Sequence, residues 1–207
     1  MFFGIITMVM KFIGITGGVG AGKSTVLALL KEMTNSIIVP ADRLAEALLE
    51  TGSPVLEQVA GLSWPKSVLR ADGSMDRALV AEFIYSDESL RVAMDEIVHP
   101  AVKEAVLDMR WQAEQEGKID YFFFEAALLI EAGYKELVDQ VWYIYTDREI
   151  RRKRLKESRG YSDERIDEIM NKQLTETQFR EAADVVIDNS SDEEGTRNQL
   201  KEILNEL

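Results

Sequence analysis

At 207 residues with 46% hydrophobic content, the chain is long enough for one sizeable core, and no part of it is low-complexity. A formal charge of −13 argues against nucleic acid as a partner. The absence of cysteine excludes disulfides and thiol chemistry and fits a reducing cytosol, and with a single histidine it also makes a zinc site untenable.

Residues 1–10 are apolar but lack a basic leading region and a small-residue cleavage site, so they are a poor signal peptide. They are also too short to span a bilayer before Lys11, so no membrane association is expected. Met1, Met8 and Met10 are alternative starts, and residues 1–9 are read as a leader. A strand is predicted over Lys11 to Thr16. Directly after it comes Gly17-Gly18-Val19-Gly20-Ala21-Gly22-Lys23-Ser24-Thr25, and a helix is predicted from near Lys23. Glycines let the backbone wrap an anion with its N–H groups pointing inward, and the helix adds its positive end. Lys23 can reach outer phosphates, and the Ser24 hydroxyl can hold magnesium. A glycine-rich turn with an incidental lysine is the bland alternative. A dinucleotide fingerprint fails because its third glycine would fall at Lys23.

A second strand is predicted over Ser36 to Val39, followed by Pro40-Ala41-Asp42-Arg43. A kinase acting on a hydroxyl needs a carboxylate near the acceptor, and Asp42 follows a strand end. Capping a helix over Arg43 to Glu50 is the equal alternative, and position alone decides nothing. Some eighty residues follow without a convincing strand. Helices are expected over Ala78 to Tyr85, Leu90 to Val98 and Val102 to Glu116, broken at Ser86-Asp87 and at Pro100. This stretch, taken as residues 53–118, is too long for a plain crossover and reads as a helical insertion that holds a second substrate.

Three more strands are predicted, over Tyr121 to Glu125, Val141 to Tyr145 and Asp184 to Asp188. Most are continuously apolar, as strands covered on both faces are. The expected fold is therefore α/β: a three-layer P-loop architecture in one domain, 1–207, with about five parallel strands and helices on both faces. Gly17, Asp42, Glu125 and Thr146 each end or follow a strand and are expected on one rim, where such sheets bind ligands. Residues 148–159 hold seven basic and two acidic side chains in an otherwise acidic chain. With Asp147 as N-cap, a helix puts Arg151, Arg154 and Ser158 on one face and Arg148, Arg152 and Arg159 near another. A solvated helix face is the ordinary meaning of such a run. Its place after a strand favours a lid over a triphosphate instead, spanning 148–180. Gly160 then reads as a hinge, and Ser162-Asp163-Glu164 opens a helix running to about Arg180. A last helix is expected from Glu193 to Leu207, packing Leu200, Ile203 and Leu207 on the sheet.

With these residues in view, the chain resembles the dephospho-CoA kinases, P-loop kinases that phosphorylate the ribose 3′-hydroxyl of dephospho-CoA in the last step of coenzyme A synthesis. The likeness runs from about Phe12 to Leu204. It rests on Ile15 to Thr25, on Ala41-Asp42 with Ala45, on Asp72-Gly73-Ser74-Met75-Asp76-Arg77 and on Ile97-Val98-His99-Pro100. Leu128-Leu129-Ile130-Glu131, Arg154-Leu155 and Ala183 to Asn189 complete the order. The resemblance implies ATP on Gly20, Ala21, Gly22, Lys23, Ser24 and Thr25, with Mg2+ near Ser24. It implies Asp42 at the acceptor hydroxyl, Lys23 and the lid Arg154 on the transferred charge, and Arg77 and His99 on the acceptor side. Arg77 as an ion-pair partner of Asp76, and His99 as a packed helix-start residue, are the structural alternatives. The chain departs from the family where Pro40 replaces an aspartate and Ala127 a proline. Ser158 stands in place of a second lid arginine, with Arg159 one position later, and Ile169-Met170 replaces Arg-Ile ahead of the lid glutamine Gln173. A kinase of another small hydroxyl acceptor would use the same loop. A GTPase-like switch is disfavoured, since Asn171-Lys172-Gln173-Leu174 lacks the aspartate that reads guanine.

Overall fold

The computed structural model describes residues 10–207, so the leader and the alternative starts at Met1 and Met8 lie outside the described residues. In chain order the elements are β1 (Lys11–Thr16), α1 (Lys23–Met33), β2 (Ser36–Pro40), α2 (Ala41–Leu48), α3 (Pro54–Ala60), α4 (Arg77–Ser86) and α5 (Glu88–Glu116). Then come β3 (Tyr121–Glu125), a short 3-10 turn (Tyr134–Leu137), β4 (Gln140–Tyr145), α6 (Arg148–Arg159), α7 (Asp163–Asn171), α8 (Glu176–Ala182), β5 (Val185–Asp188) and α9 (Glu193–Asn205). The strands form one five-stranded sheet in the order β2-β3-β1-β4-β5. β1 pairs in parallel with both β3 and β4, and β4 with β5. The strand-helix alternation of the sequence thus gives the expected α/β fold.

Side-chain alternation explains why these strands read as unbroken apolar runs. Ile13, Ile15, Phe123, Trp142, Ile144 and Ile187 share one cluster with Val26, Leu29 and Leu30 of α1 and Leu200 of α9. The intervening residues point the other way and are buried as well. Phe12 meets Phe122 edge-on at 5.3 Å, and Tyr143 stacks on Phe179 of α8 at 4.7 Å. β1, β3 and β4 are buried on both faces, so neither register position there needs a polar residue, whereas the edge strands β2 and β5 are only partly buried.

By internal packing the chain divides into two compact units, one made of the chain up to Ile38 with Gln112–Leu207, the other of Val39–Trp111. The second unit is helical. Ser53 caps α3 ahead of Pro54, and Asp76 caps α4 by accepting from Leu79 N–H at 3.2 Å. The Asp72-Gly73 turn before it is closed by Asp72, which accepts from both the amide and the hydroxyl of Ser74.

Four expectations about elements are corrected. Pro100 does not divide two helices, because α5 runs through it. A mid-helix proline costs ~3 kcal/mol. Val98, Val102 and Val106, spaced by four, are all buried across it, and at about 1.5 kcal/mol or more each their burial outweighs the break. The helix opened by Ser162 does not reach Arg180. It ends at Asn171, and α8 starts afresh under a capping box in which Thr175 and Gln178 satisfy each other's backbone groups. α2 begins at Ala41 rather than Arg43, and α9 stops at Asn205.

Candidate active site

The loop between β1 and α1 is shaped by its glycines. Gly20 and Gly22 hold φ of +77° and +83°, values a side chain resists. A Cβ on Gly22 would also lie 2.3 Å from Asn189 Nδ2. α1 starts at Lys23 with no acidic side chain in its first turn, so the positive end of the helix is left uncompensated for an anion. Ser24 and Thr25 sit exposed in that turn, and the Ser24 hydroxyl has no hydrogen-bond partner among the described residues.

Beneath the loop, Ala21 is fixed by a buried polar network. Its carbonyl accepts from Thr146 Oγ1 at 2.9 Å and from Asn189 Nδ2 at 2.8 Å. Asn189 Oδ1 in turn accepts from Thr196 Oγ1 at 2.9 Å, and Asn189 N–H donates to the Tyr145 carbonyl at 2.8 Å. In a trans peptide the C=O and the following N–H point in opposite directions. Tying down the Ala21 carbonyl therefore aims the Gly22 N–H away from the network, into the loop. Thr146 follows β4 and Asn189 follows β5, so two adjacent strand ends hold the loop that follows β1.

Lys23 Nζ donates to the Gly17 carbonyl at 3.0 Å and lies 3.5 Å from Glu125 Oε1 at the end of β3. Both side chains are about 15% exposed, so the pair faces the loop from a largely desolvated position. Arg154 reaches toward the same loop from α6. Its Nη2 donates to the Asn189 carbonyl at 2.9 Å, and its Nη1 lies 3.5 Å from Thr146 Oγ1.

The basic helix α6 divides its charge. Arg148, Arg152 and Lys156, spaced by four, turn to α7: Arg148 meets Asp167 at 3.1 Å, Arg152 meets Asp163 at 2.8 Å and also Asp167, and Lys156 meets Asp163 at 2.7 Å. Hydrogen bonds from Lys156 and then Arg152 hold the Asp163 carboxyl below its ordinary pKa, and bonds from Arg152 and then Arg148 do the same for Asp167. Arg159 instead lies over the Tyr161 ring at 5.8 Å. Arg151 and Arg154 face the loop, as the helical spacing indicated. Arg151 Nε donates to the Val19 carbonyl at 2.8 Å, and Gln173, between α7 and α8, meets both residues. Sequence reasoning puts Thr146 on the rim and Gln173 in the lid, but gives neither them nor Arg151 and Thr196 a contact with the loop. The available signal was the shared face of Arg151 and Arg154.

The acceptor-side candidates belong to the second unit. Asp42 lies in the first turn of α2, two residues past β2, and is exposed with no partner among the described residues. It makes no capping bond, so the structural alternative for it is not what the chain adopts. Arg77 pairs with Glu46 at 3.1 Å rather than with Asp76, whose partner is Arg70 at 3.6 Å. It also lines a cavity of about 440 Å³ with Leu49, Glu50, Thr51, Arg70, Ser74 and Met75. His99 is not at a helix start. It sits mid-helix in α5, with Nε2 3.8 Å from Asp95 one turn earlier.

Magnesium prefers hard oxygen donors and keeps several waters, so it is bound by one or two protein oxygens together with substrate phosphates. The Ser24 hydroxyl and the Glu125 carboxylate are oxygen donors of that kind at the loop. No cluster of three or more histidine, aspartate or glutamate side chains that could hold a metal exists among the described residues. No helix among the described residues is long and apolar enough to cross a membrane.

Comparison with known proteins places these features in a family. A family model described as Dephospho-CoA kinase matches residues 11–194. The chain is 35% identical over 198 residues to a dephospho-CoA kinase of Carboxydothermus hydrogenoformans, covering 95% of this chain and 94% of that one. Among solved structures, a Thermus thermophilus protein superposes with a TM-score of 0.78 at 29% identity, over 96% of this chain and 98% of the other. A dephospho-CoA kinase from Campylobacter jejuni has a TM-score of 0.70 at 22% identity, over 94% and 96% of the two chains, and shares the fold.

Proposed function

The chain belongs to the dephospho-CoA kinase family, and we propose that it transfers the γ-phosphoryl group of ATP to the ribose 3′-hydroxyl of dephospho-CoA, giving coenzyme A and ADP. The observation that carries this reading is the loop from Gly17 to Thr25. Its Ala21 carbonyl is tied back by Thr146 and Asn189, and Lys23 and Arg154 bring two cations to it. A triphosphate is the ligand that uses inward amides, a helix N-terminus and two cations at once.

In this mechanism Gly20 to Thr25 cradle the phosphates of ATP. Ser24 and Glu125 would hold Mg2+, which would supply positive charge to offset that of the phosphates. The acceptor oxygen forms a bond to the γ-phosphorus while the bond from that phosphorus to the β–γ bridging oxygen breaks, and the electron pair leaves with ADP. The acceptor proton passes to the Asp42 carboxylate, which is exposed and unpaired among the described residues. Lys23 and Arg154 neutralise charge on the transferred group. The lid region, 148–180, excludes water and so limits hydrolysis. Arg77 and His99 recognise the acceptor, whose nucleotide end is anionic.

The test is ADP release by purified protein, coupled to a spectrophotometric readout, with and without dephospho-CoA. Release that depends on dephospho-CoA is expected. Equal or faster release with a nucleoside or sugar from a panel would transfer the assignment to another hydroxyl acceptor.

A further inference from the structure

Val19 occupies a variable position of the loop pattern, yet both its peptide groups are held by side chains from the lid region. Its N–H donates to Gln173 Oε1 at 3.0 Å, and its carbonyl accepts from Arg151 Nε at 2.8 Å. Arg151 Nη2 donates to the same Gln173 oxygen at 3.0 Å, so three residues close a ring of hydrogen bonds. The ring fits closely: a Cβ on Gly18 would lie 2.3 Å from Arg151 Nη2. The trans-peptide geometry that governs Ala21 and Gly22 applies again here. Tying the Val19 carbonyl toward Arg151 points the Gly20 N–H the opposite way.

Arg151 differs from its neighbours on α6. Arg148, Arg152 and Lys156 each face a carboxylate, whereas Arg151 has no acidic partner among the described residues. It is partly buried, and that burial pushes its pKa below the ordinary arginine value. A desolvated cation with only neutral partners is costly unless an anion offsets it, and this one sits on a loop built for phosphate.

We propose that Arg151 and Gln173 are positioning residues that latch the tip of the phosphate loop to the lid region, so that seating the lid and aiming the Gly20 amide at the triphosphate are one event. The proposal rests on the kinase reading above and adds that the lid acts through loop geometry as well as through charge.

The test compares Arg151→Ala, Gln173→Ala, the double variant, Arg151→Lys and Lys153→Ala by steady-state kinetics and by calorimetric binding of ATP. Lys153 sits on the exposed side of the same helix, 4.0 Å from Glu157, and its variant should match wild type. Arg151→Ala is expected to lower kcat/KM for ATP at least tenfold and to change KM for dephospho-CoA less than twofold. Gln173→Ala should do the same although it removes no charge. The double variant should be no worse than the poorer single one, because one ring is broken either way. Arg151→Lys should recover only part of the loss, since an ammonium lacks the fork that reaches both oxygens. Wild-type kinetics for Gln173→Ala, multiplicative losses in the double variant, or full rescue by lysine would each overturn the latch. Failure of the kinase reading is seen separately, as wild-type protein without dephospho-CoA-dependent ADP release. The ATP affinities would still decide the latch in that case.

Discussion

Asn189→Ala tests whether the network under the loop aims an amide or only adds stability. The side chain is 3% exposed and makes two hydrogen bonds, to the Ala21 carbonyl and from the Thr196 hydroxyl. Truncation abandons neither partner completely. Ala21 keeps Thr146 Oγ1 at 2.9 Å, and Thr196 keeps a longer bond to the Asp192 carbonyl at 3.3 Å. Each lost bond is then worth about 1 kcal/mol rather than a full desolvation penalty, and the void adds roughly another 1 kcal/mol. The total, about 3 kcal/mol, corresponds to a fall in Tm of roughly 6–12 °C for a chain of this size. If the Ala21 carbonyl also loses its orientation, the Gly22 N–H is no longer aimed in advance, and KM for ATP should rise about tenfold, the equivalent of 1.4 kcal/mol. Thermal unfolding by circular dichroism gives the first number, and initial rates across ATP concentrations give the second. Thr196→Val should cost about 1 kcal/mol alone and much less on top of Asn189→Ala, because both remove the same bond. A lowered Tm with unchanged ATP kinetics would refute the aiming argument, and an unchanged Tm would refute the hydrogen-bond accounting.

Lys23→Met keeps the length of the stem and removes the ammonium, so turnover should fall about 100-fold or more, measured as coupled ADP release. Asp42→Asn keeps the shape and removes the proton acceptor. It should lower kcat about 100-fold or more while calorimetric ATP affinity stays near wild type, and near-normal turnover would exclude the base role. The carboxyls of Asp163 and Asp167 are held below the ordinary 3.8 by donors on α6. Their pairing therefore stabilises the α6–α7 arrangement fully above about pH 4 and is lost as pH falls through the lower folded values. Carbon-detected NMR titration of the two carboxyls should give midpoints under 3.8, and Arg152→Ala should move the Asp167 midpoint up. About 1 M salt should bring both midpoints closer to 3.8, since these pairs are exposed.

The phosphate loop was legible because its function needs glycine where φ is positive, at Gly20 and Gly22, and such a requirement leaves its mark on local sequence. The strands were legible for a related reason. A strand buried on both faces has no polar register, and Tyr121–Glu125 shows none before its last residue. Tertiary context overrode the local signals elsewhere. Pro100 is a breaker by propensity, yet the buried valines on either side hold α5 continuous. The break after Asn171 went unread although Thr175 and Gln178 carry the capping-box spacing, because the surrounding pattern also suits one long helix. Asn189 could be placed only as part of a motif. Its partner Ala21 is 168 positions away, and no local rule reports a bond of that span.

The basic helix shows how far charge patterning can be taken. Seven cations in twelve residues suggest either a solvated face or a grip on phosphate, and α6 divides them by rotation. Its row at 148, 152 and 156 is neutralised by Asp163 and Asp167, one turn apart on α7 just past Gly160. Its row at 151 and 154 finds only carbonyl, amide and hydroxyl oxygens, at Val19, Gln173, Asn189 and Thr146. Composition could not divide the seven, because the division depends on where α7 lies against α6. The acid partners of one row remove it from the list of ligand-binding groups. The two cations of the other row that have neutral partners are the ones a triphosphate would complete, and that is how a chain of net charge −13 can concentrate attraction for a polyanion at one loop.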